Sequence, residues 1–292
     1  MSENTGIEWT STIGPDGTRH KGSTFNGWSG CDKVTAGCKF CYAESLPPSM
    51  RRGAEWGPDE PRVVGSADYW RAPLGWNEKA KKLGVRLKVF AHSTSDVFEA
   101  RDDLDVHRAR LFELIEATPD LDWLLLTKRA EEIMRRVPAS WREAFPTNVW
   151  QLVTTENQAT ADVRIPLLLR VPAVVRGLSA EPLVGELRIR EEWMESATED
   201  GLQWVIGGGE SGRAHHVRPC DPDWARQLRE DCEDGAIPFF WKQWGEWAPQ
   251  SSGNHTAPMY VGGTPMWRVG KRDAGRVLDG RVHDGWPMPR FR

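Results

Sequence analysis

The stretch DWLLLTKRAEEIMRR, residues 122–136, carries the grammar of the whole chain. An apolar run ends in a hydroxyl, two cations follow, and the sequence then turns helical. The same unit recurs on both sides. Upstream, RLKVFAH (86–92) leads into STSDVFEA and a helical pattern at about 104–117. Downstream, NVWQLVT (148–154) leads into TENQATAD and an apolar helical stretch to about 170. AVVRGLS (173–179) is followed by AEPLVG, and LQWVI (202–206) by GGGESG and a helix near 222–234. IPFFWKQ (237–243) closes the series, and a short strand near Phe25–Trp28 makes seven. Strands that alternate with helices pair in parallel through crossover connections. The expected class is therefore α/β, a full or partial TIM-like (β/α) barrel, with a doubly wound open sheet as runner-up. One domain over 1–292 accommodates it. The Pro- and Trp-rich segment 45–80 reads as an irregular excursion, and the Gly-rich extension 248–292 as a tail that wraps the barrel.

Composition narrows the function. The chain has 292 residues and a formal charge of −4, so no global basic signature for duplex nucleic acid is present. No apolar run approaches the ~20 residues of a membrane span, and the N-terminus MSENTGIEWT lacks a signal-peptide core. A cytoplasmic protein without membrane partners is expected. Sixteen tryptophans serve mostly packing.

In a parallel barrel, active sites lie at the C-terminal strand ends. Here those ends carry Ser93, Ser95 and Asp96; Lys128 and Arg129; Thr155, Glu156 and Asn157; Glu181; Glu210 and Ser211; and Lys242, Gln243 and Glu246. A shared pocket follows if the strands run in register. Lys128 and Arg129 suit a carboxylate or phosphate. Gly207, Gly208 and Gly209 either admit a ligand to the backbone or form a tight turn or bulge. Trp241, Trp244 and Trp247 read as tail packing in preference to a stacking platform. His215 and His216 read as exposed loop residues.

Three of the five cysteines fall within GCDKVTAGCKFCYAE, residues 30–44, as Cys31, Cys38 and Cys41. An odd, clustered set is no disulfide framework, and the loop is too polar for buried cysteines. Metal binding remains. A structural zinc needs four ligands, and His92 or Cys220 would have to supply the fourth. Three thiolates without a fourth suit a [4Fe–4S] cluster with one iron open. Cys220 and Cys232 have no partner spacing and read as structural.

The run GCDKVTAGCKFCYAE resembles the phage Gp37/Gp68 family, described as radical-SAM-like. GIEWT, LLTKR, TTENQ, LSAEPLVG, WVIGGGESG, PFFWKQWGEW and RVGKRDAGRVLDGR extend the resemblance over almost the full chain. It implies a barrel whose Cys31, Cys38 and Cys41 hold a [4Fe–4S] cluster that cleaves S-adenosylmethionine to a 5′-deoxyadenosyl radical. The gap from Cys31 to Cys38 is three residues longer than in the usual C-x3-C-x2-C loop. Tyr42 occupies the position of an adenine-packing aromatic, and VIGGGESG is similar to the adenine-contacting strand end. The resemblance sets Tyr42 and the turn at Gly207, Gly208, Gly209 and Glu210 around the cofactor; their place at the strand ends adds Ser93, Asp96 and Glu156 as cofactor-binding candidates and Lys128, Glu181 and Lys242 as catalytic ones. The implied partners are an electron donor and a small-molecule or nucleic-acid substrate, with DNA repair or modification as the role. The alternative is a non-enzymatic barrel that binds nucleic acid or a partner around a structural iron–sulfur or zinc site.

Overall fold

The computed structural model describes residues 3–194, 201–212, 216–250 and 257–287. Seven strands form its main sheet. In chain order they are β1 (Ser23–Phe25), β2 (Leu87–Ala91), β3 (Leu121–Thr127), β4 (Val149–Thr154), β5 (Val175–Ala180), β6 (Trp204–Gly208) and β7 (Phe239–Gln243). Every neighbouring pair is parallel, and the spatial order is the chain order. That winding has one direction throughout. A doubly wound sheet would reverse it midway, so the partial barrel is the correct alternative.

Side chains alternate across the sheet as strand geometry requires. In β4, Val149 and Val153 join the core beneath the helices, whereas Trp150 and Leu152 join a second cluster on the opposite face. That second cluster shows the sheet is curled. Trp9 lies 4.8 Å from Phe90 of β2 and 6.1 Å from Trp204 of β6, centroid to centroid. Strands four places apart in a flat sheet would be about 19 Å apart at the usual spacing, beyond the reach of one indole. Trp9 therefore plugs the concave side. The tail completes the plug. Trp286 packs on Phe240 at 5.3 Å, and its indole N–H donates to Trp9 O at 3.1 Å.

Among the described residues, four helices longer than one turn cover the outer face: α1 (Ala67–Leu83), α2 (Asp105–Glu116), α3 (Gln158–Leu168) and α4 (Pro222–Asp234). Helix α3 opens on a reciprocal capping box between Asn157 and Thr160, which satisfies N–H groups that have no partner within the helix. Helix α1 corrects the sequence reading of 45–80 as irregular throughout. Its interior Pro73 argues against a helix. However, Ser66 caps its start, Gly84 ends it in the left-handed region at φ +67°, and Trp70, Pro73, Trp76 and Ala80 are buried together along one side. Fully burying a large apolar side chain is worth roughly 1.5–3 kcal/mol. Two such tryptophans offset the roughly 3 kcal/mol that an interior proline costs. Residues 45–66 do lack a helix of this kind, with only the two-residue strand Val63–Val64 pairing to Trp28–Ser29.

The extension folds back as a small antiparallel sheet of Trp247–Ala248, Thr264–Arg268 and Met259–Val261. Trp241, Trp244 and Trp247 are buried in the helix-side core, as are Cys220 and Cys232. None of these is available for stacking or metal binding. No helix among the described residues is long and apolar enough to cross a membrane.

Candidate functional site

Because all seven strands are parallel, their C-terminal ends share one rim. The residues that follow β2 (Asp96), β3 (Lys128), β4 (Glu156), β5 (Glu181) and β6 (Glu210) lie there, with Lys242 near the end of β7. The cysteine loop follows β1 onto the same rim. Two chambers of about 150 Å³ each open there. Tyr42, Cys41, Phe90, Leu126, Lys128 and Thr154 line both, so the chambers adjoin across these side chains.

The first chamber holds all three loop thiols, with His92, Ser93, Asp96, Lys128 and Arg129 around them. All five cysteines are free. Burial pushes the Cys31 thiol up to about 12, with Asp96 adding to the rise and Arg129 opposing it. Burial also raises Cys41, with Lys128 opposing. Such thiols stay protonated until a metal centre displaces their protons. His92 is no ligand. Its Nε2 accepts from Gly27 N at 3.3 Å, which leaves the proton on Nδ1 facing Ser95 Oγ at 2.6 Å. Burial holds its pKa down at about 3. Cys220 is sealed in the core and His92, though it borders the chamber, has both ring nitrogens engaged, so neither expected source offers a free fourth ligand. Among the described residues, no three His, Cys, Asp or Glu side chains converge tightly enough for one ion. The thiols face a common space, not a common point. A donor set of three soft sulfurs around such a space fits a multi-iron cluster better than a tetrahedral zinc.

Several rim acids expected around a cofactor are committed elsewhere. Asp96 accepts from Thr127 Oγ1 (2.7 Å), Phe98 N (2.9 Å), Lys128 N (3.1 Å) and Arg129 Nη1 (3.1 Å). Glu156 is 1% exposed, pairs with Arg164 at 3.0 Å and accepts from Thr35 Oγ1 at 2.6 Å. It lines neither chamber. Glu210 accepts from Arg218 N at 2.8 Å and Nε at 3.0 Å, and Arg218 reaches on to Ala36 O at 3.0 Å. Asp96, Glu156 and Glu210 thus brace the loop between Cys31 and Cys38, at Asp32, Thr35 and Ala36. The six-residue span between the two cysteines is held at three points. Ser93 presents its carbonyl to the Tyr42 hydroxyl at 3.0 Å. Tyr42 is 43% exposed and borders both chambers.

The glycine triplet follows the bulge reading. The β6–β7 register shifts between Gly207 and Gly208, and a Cβ on Gly209 would meet Trp244 O at 2.0 Å. The close approach of the Trp244 carbonyl requires glycine at Gly209. Gly207 packs against Trp241, Gly208 against Glu181, and only Gly209 of the three lines a chamber.

The second chamber joins an apolar floor to a polar wall. Trp9, Phe90 and Leu126 form the floor; Glu181, Gln243 and Lys242 stand above, with Phe40 and Tyr42 at the lip. Lys242 Nζ lies 2.7 Å from Glu181 Oε1. Lys128 Nζ makes no hydrogen bond or ion pair among the described residues. Beyond Tyr42 an outer depression of about 390 Å³ includes Ser211, Glu246, Arg268 and Lys271. His216 is exposed and lies 6.2 Å from Phe40, while His215 lies outside the described residues.

Sequence reading missed the bracing partners Arg164, Arg218 and Thr35 and the chamber-lining Phe40. No local signal could have found them. Arg218 and Ala36 are 182 residues apart, and Thr35 and Glu156 are 121 apart.

Residues 4–287 match the family model described as "Protein of unknown function (DUF5131)". No curated protein matches the chain. Among solved structures the chain is similar to a single-substitution mutant of spore photoproduct lyase, at 13% identity and TM-score 0.45, covering 86% of this chain and 69% of that one. It is also similar to spore photoproduct lyase complexed with dinucleoside spore photoproduct, at 12% identity and TM-score 0.38, covering 82% and 66%. The chain thus spans about two thirds of those proteins.

Proposed function

The chain belongs to a family of proteins of unknown function, DUF5131, and from its site we propose an iron–sulfur enzyme of radical SAM type that modifies a nucleotide or nucleic acid. Kinship with the phage Gp37/Gp68 family is part of this reading. One observation carries it: three thiols of one braced loop open into a single chamber at the strand-end rim, beside a second chamber with a free lysine at the junction.

Cys31, Cys38 and Cys41 would hold the cluster. When bound, a [4Fe–4S] cluster supplies single electrons from an external donor, which radical SAM enzymes spend on cleaving S-adenosylmethionine to a 5′-deoxyadenosyl radical. The remaining work falls to this chain's own groups. Lys128 places a positive charge between the chambers and can bind a carboxylate or phosphate oxygen. The Tyr42 ring, its hydroxyl tied to Ser93 O, walls both chambers and offers a stacking face. Trp9, Phe90 and Leu126 exclude water from the floor. Glu181 holds Lys242 in place while leaving its ammonium donors for a ligand. The Phe40 and Tyr42 lip with these cations suits a planar base that carries phosphate.

Anaerobic reconstitution tests the reading. We expect about four irons per chain, broad visible absorption, and S-adenosylmethionine binding that needs the intact cluster. Reduced protein should release 5′-deoxyadenosine. Stoichiometric zinc without iron overturns the proposal.

A further inference from the structure

Arg129 faces the cysteine loop with a geometry that the rim position alone does not require. Its guanidinium is 7% exposed and held by Asp96, at 3.1 Å from Oδ2. Asp96 is in turn fixed by Thr127 Oγ1, which also accepts from Arg129 N at 2.9 Å. From this seat Arg129 makes two outward contacts. Nη2 donates to Asp32 O at 3.0 Å, and Nη1 points to Cys31 Sγ at 3.8 Å. The other side of the same residue is gripped as well. Asp32 N donates to Glu99 Oε1 at 3.1 Å, and Glu99 is locked by Arg62 Nε at 2.9 Å. Arg129 Nη2 also lies 3.9 Å from Glu99 Oε1. Both backbone groups of the residue after Cys31 are therefore held by one buried network of alternating charge. Neither Cys38 nor Cys41 takes part in it.

We propose that Arg129 is a positioning residue for Cys31. Seated on Asp96, it fixes Asp32 before any metal arrives and donates an N–H to the Cys31 sulfur, so that it sets both the retention and the reduction potential of the centre bound there. The potential-setting half rests on the iron–sulfur reading above. The chemistry is general. Groups behind a metal ligand orient it, and their loss typically costs 10–100-fold in metal affinity. Hydrogen bonds to cluster sulfurs are among the determinants of potential. A cation donating to a sulfur stabilises the more negative, reduced state. Lysine cannot substitute fully, because one ammonium lacks the planar fork that reaches Asp96, Asp32 and Cys31 at once.

The test uses the full chain with Arg129→Gln and Arg129→Lys, the second retaining a charge opposite Asp96 so that a folded variant is available. In metal-free protein, hydrogen exchange at the Asp32 and Lys33 amides should rise at least tenfold in both variants, and should stay at the wild-type rate in Cys31→Ala. In reconstituted protein, redox titration by EPR should show Arg129→Gln reduced at lower potential. A tenfold loss of reduced fraction corresponds to about 59 mV for a one-electron centre. Arg129→Lys should recover part of that shift. Unchanged exchange in both variants overturns the positioning role, and an unchanged potential in Arg129→Gln overturns the contact to sulfur. A wild type that takes up no iron overturns the iron–sulfur reading and the potential-setting half with it, while the exchange comparison still decides whether Arg129 holds Asp32.

Discussion

Replacing Thr35 by Val tests whether the long span between Cys31 and Cys38 is held by the sheet. Thr35 Oγ1 donates to Glu156 Oε1 at 2.6 Å, and Glu156 is nearly inaccessible and balanced by Arg164 at 3.0 Å. Valine keeps the branched shape and removes only the hydroxyl. A hydrogen bond to a charged group contributes roughly 1.5–3 kcal/mol. Arg164 still neutralises the carboxylate, which places the loss near 2 kcal/mol. At 1.4 kcal/mol per decade that is about 30-fold in the opening equilibrium of the loop. The Cys38 amide, which donates to Thr35 O at 2.9 Å, reports it. Its hydrogen exchange in metal-free protein should accelerate by about that factor. Arg164→Met should be costlier, because it strands a buried carboxylate; about 3–5 kcal/mol is expected in urea unfolding. A Cys38 amide that changes less than about threefold in Thr35→Val would sink the argument. So would acceleration confined to strand amides, which would mean that the loop moves independently of Glu156.

Three further outcomes are expected. Cys31→Ala, Cys38→Ala and Cys41→Ala should each lose the iron centre on reconstitution, while Cys220→Ala and Cys232→Ala, both in the helix-side core, should keep it and lose stability instead; iron analysis beside thermal melts checks this. Lys242→Met should leave iron content unchanged and alter stability by less than about 1 kcal/mol, since the pair with Glu181 is partly solvated, yet calorimetry should show weakened nucleotide binding. The last concerns the opposite end of the sheet, where burial pushes Asp122 up to about 6, with Lys88 and Arg86 opposing. Its folded pKa exceeds the ordinary value, so its contribution is full below about pH 4 and is lost as pH rises through 6. Asp122→Asn should therefore gain on wild type by about 3 kcal/mol between pH 3 and pH 8, measured by urea unfolding. A constant difference across that range would refute the assignment.

The unit that opens with DWLLLT was legible because strand and helix periods are local properties. Six apolar runs of the right length, each followed by polar residues, specify parallel strands with covered faces. Parallel strands in turn oblige Asp96, Lys128, Glu156, Glu181, Glu210 and Lys242 to share a rim. The cysteine spacing likewise marked a loop that brings three thiols to one chamber. Helix α1 was hidden because Pro73 speaks against it locally and only the burial of Trp70 and Trp76 speaks for it. The division of labour along the rim was hidden too. Lys128, Glu181 and Lys242 line the chambers, as Asp96 and Glu210 also do, but Asp96, Glu156 and Glu210 are paired with Arg129, Arg164 and Arg218. A carboxylate's role depends on which cation lies within about 3 Å of it. That neighbour is set by sheet curvature and by loops closing over more than a hundred residues. Sequence alone could thus say that acids would ring the site, and only the tertiary structure could say which of them brace the cysteine loop through an arginine or a threonine.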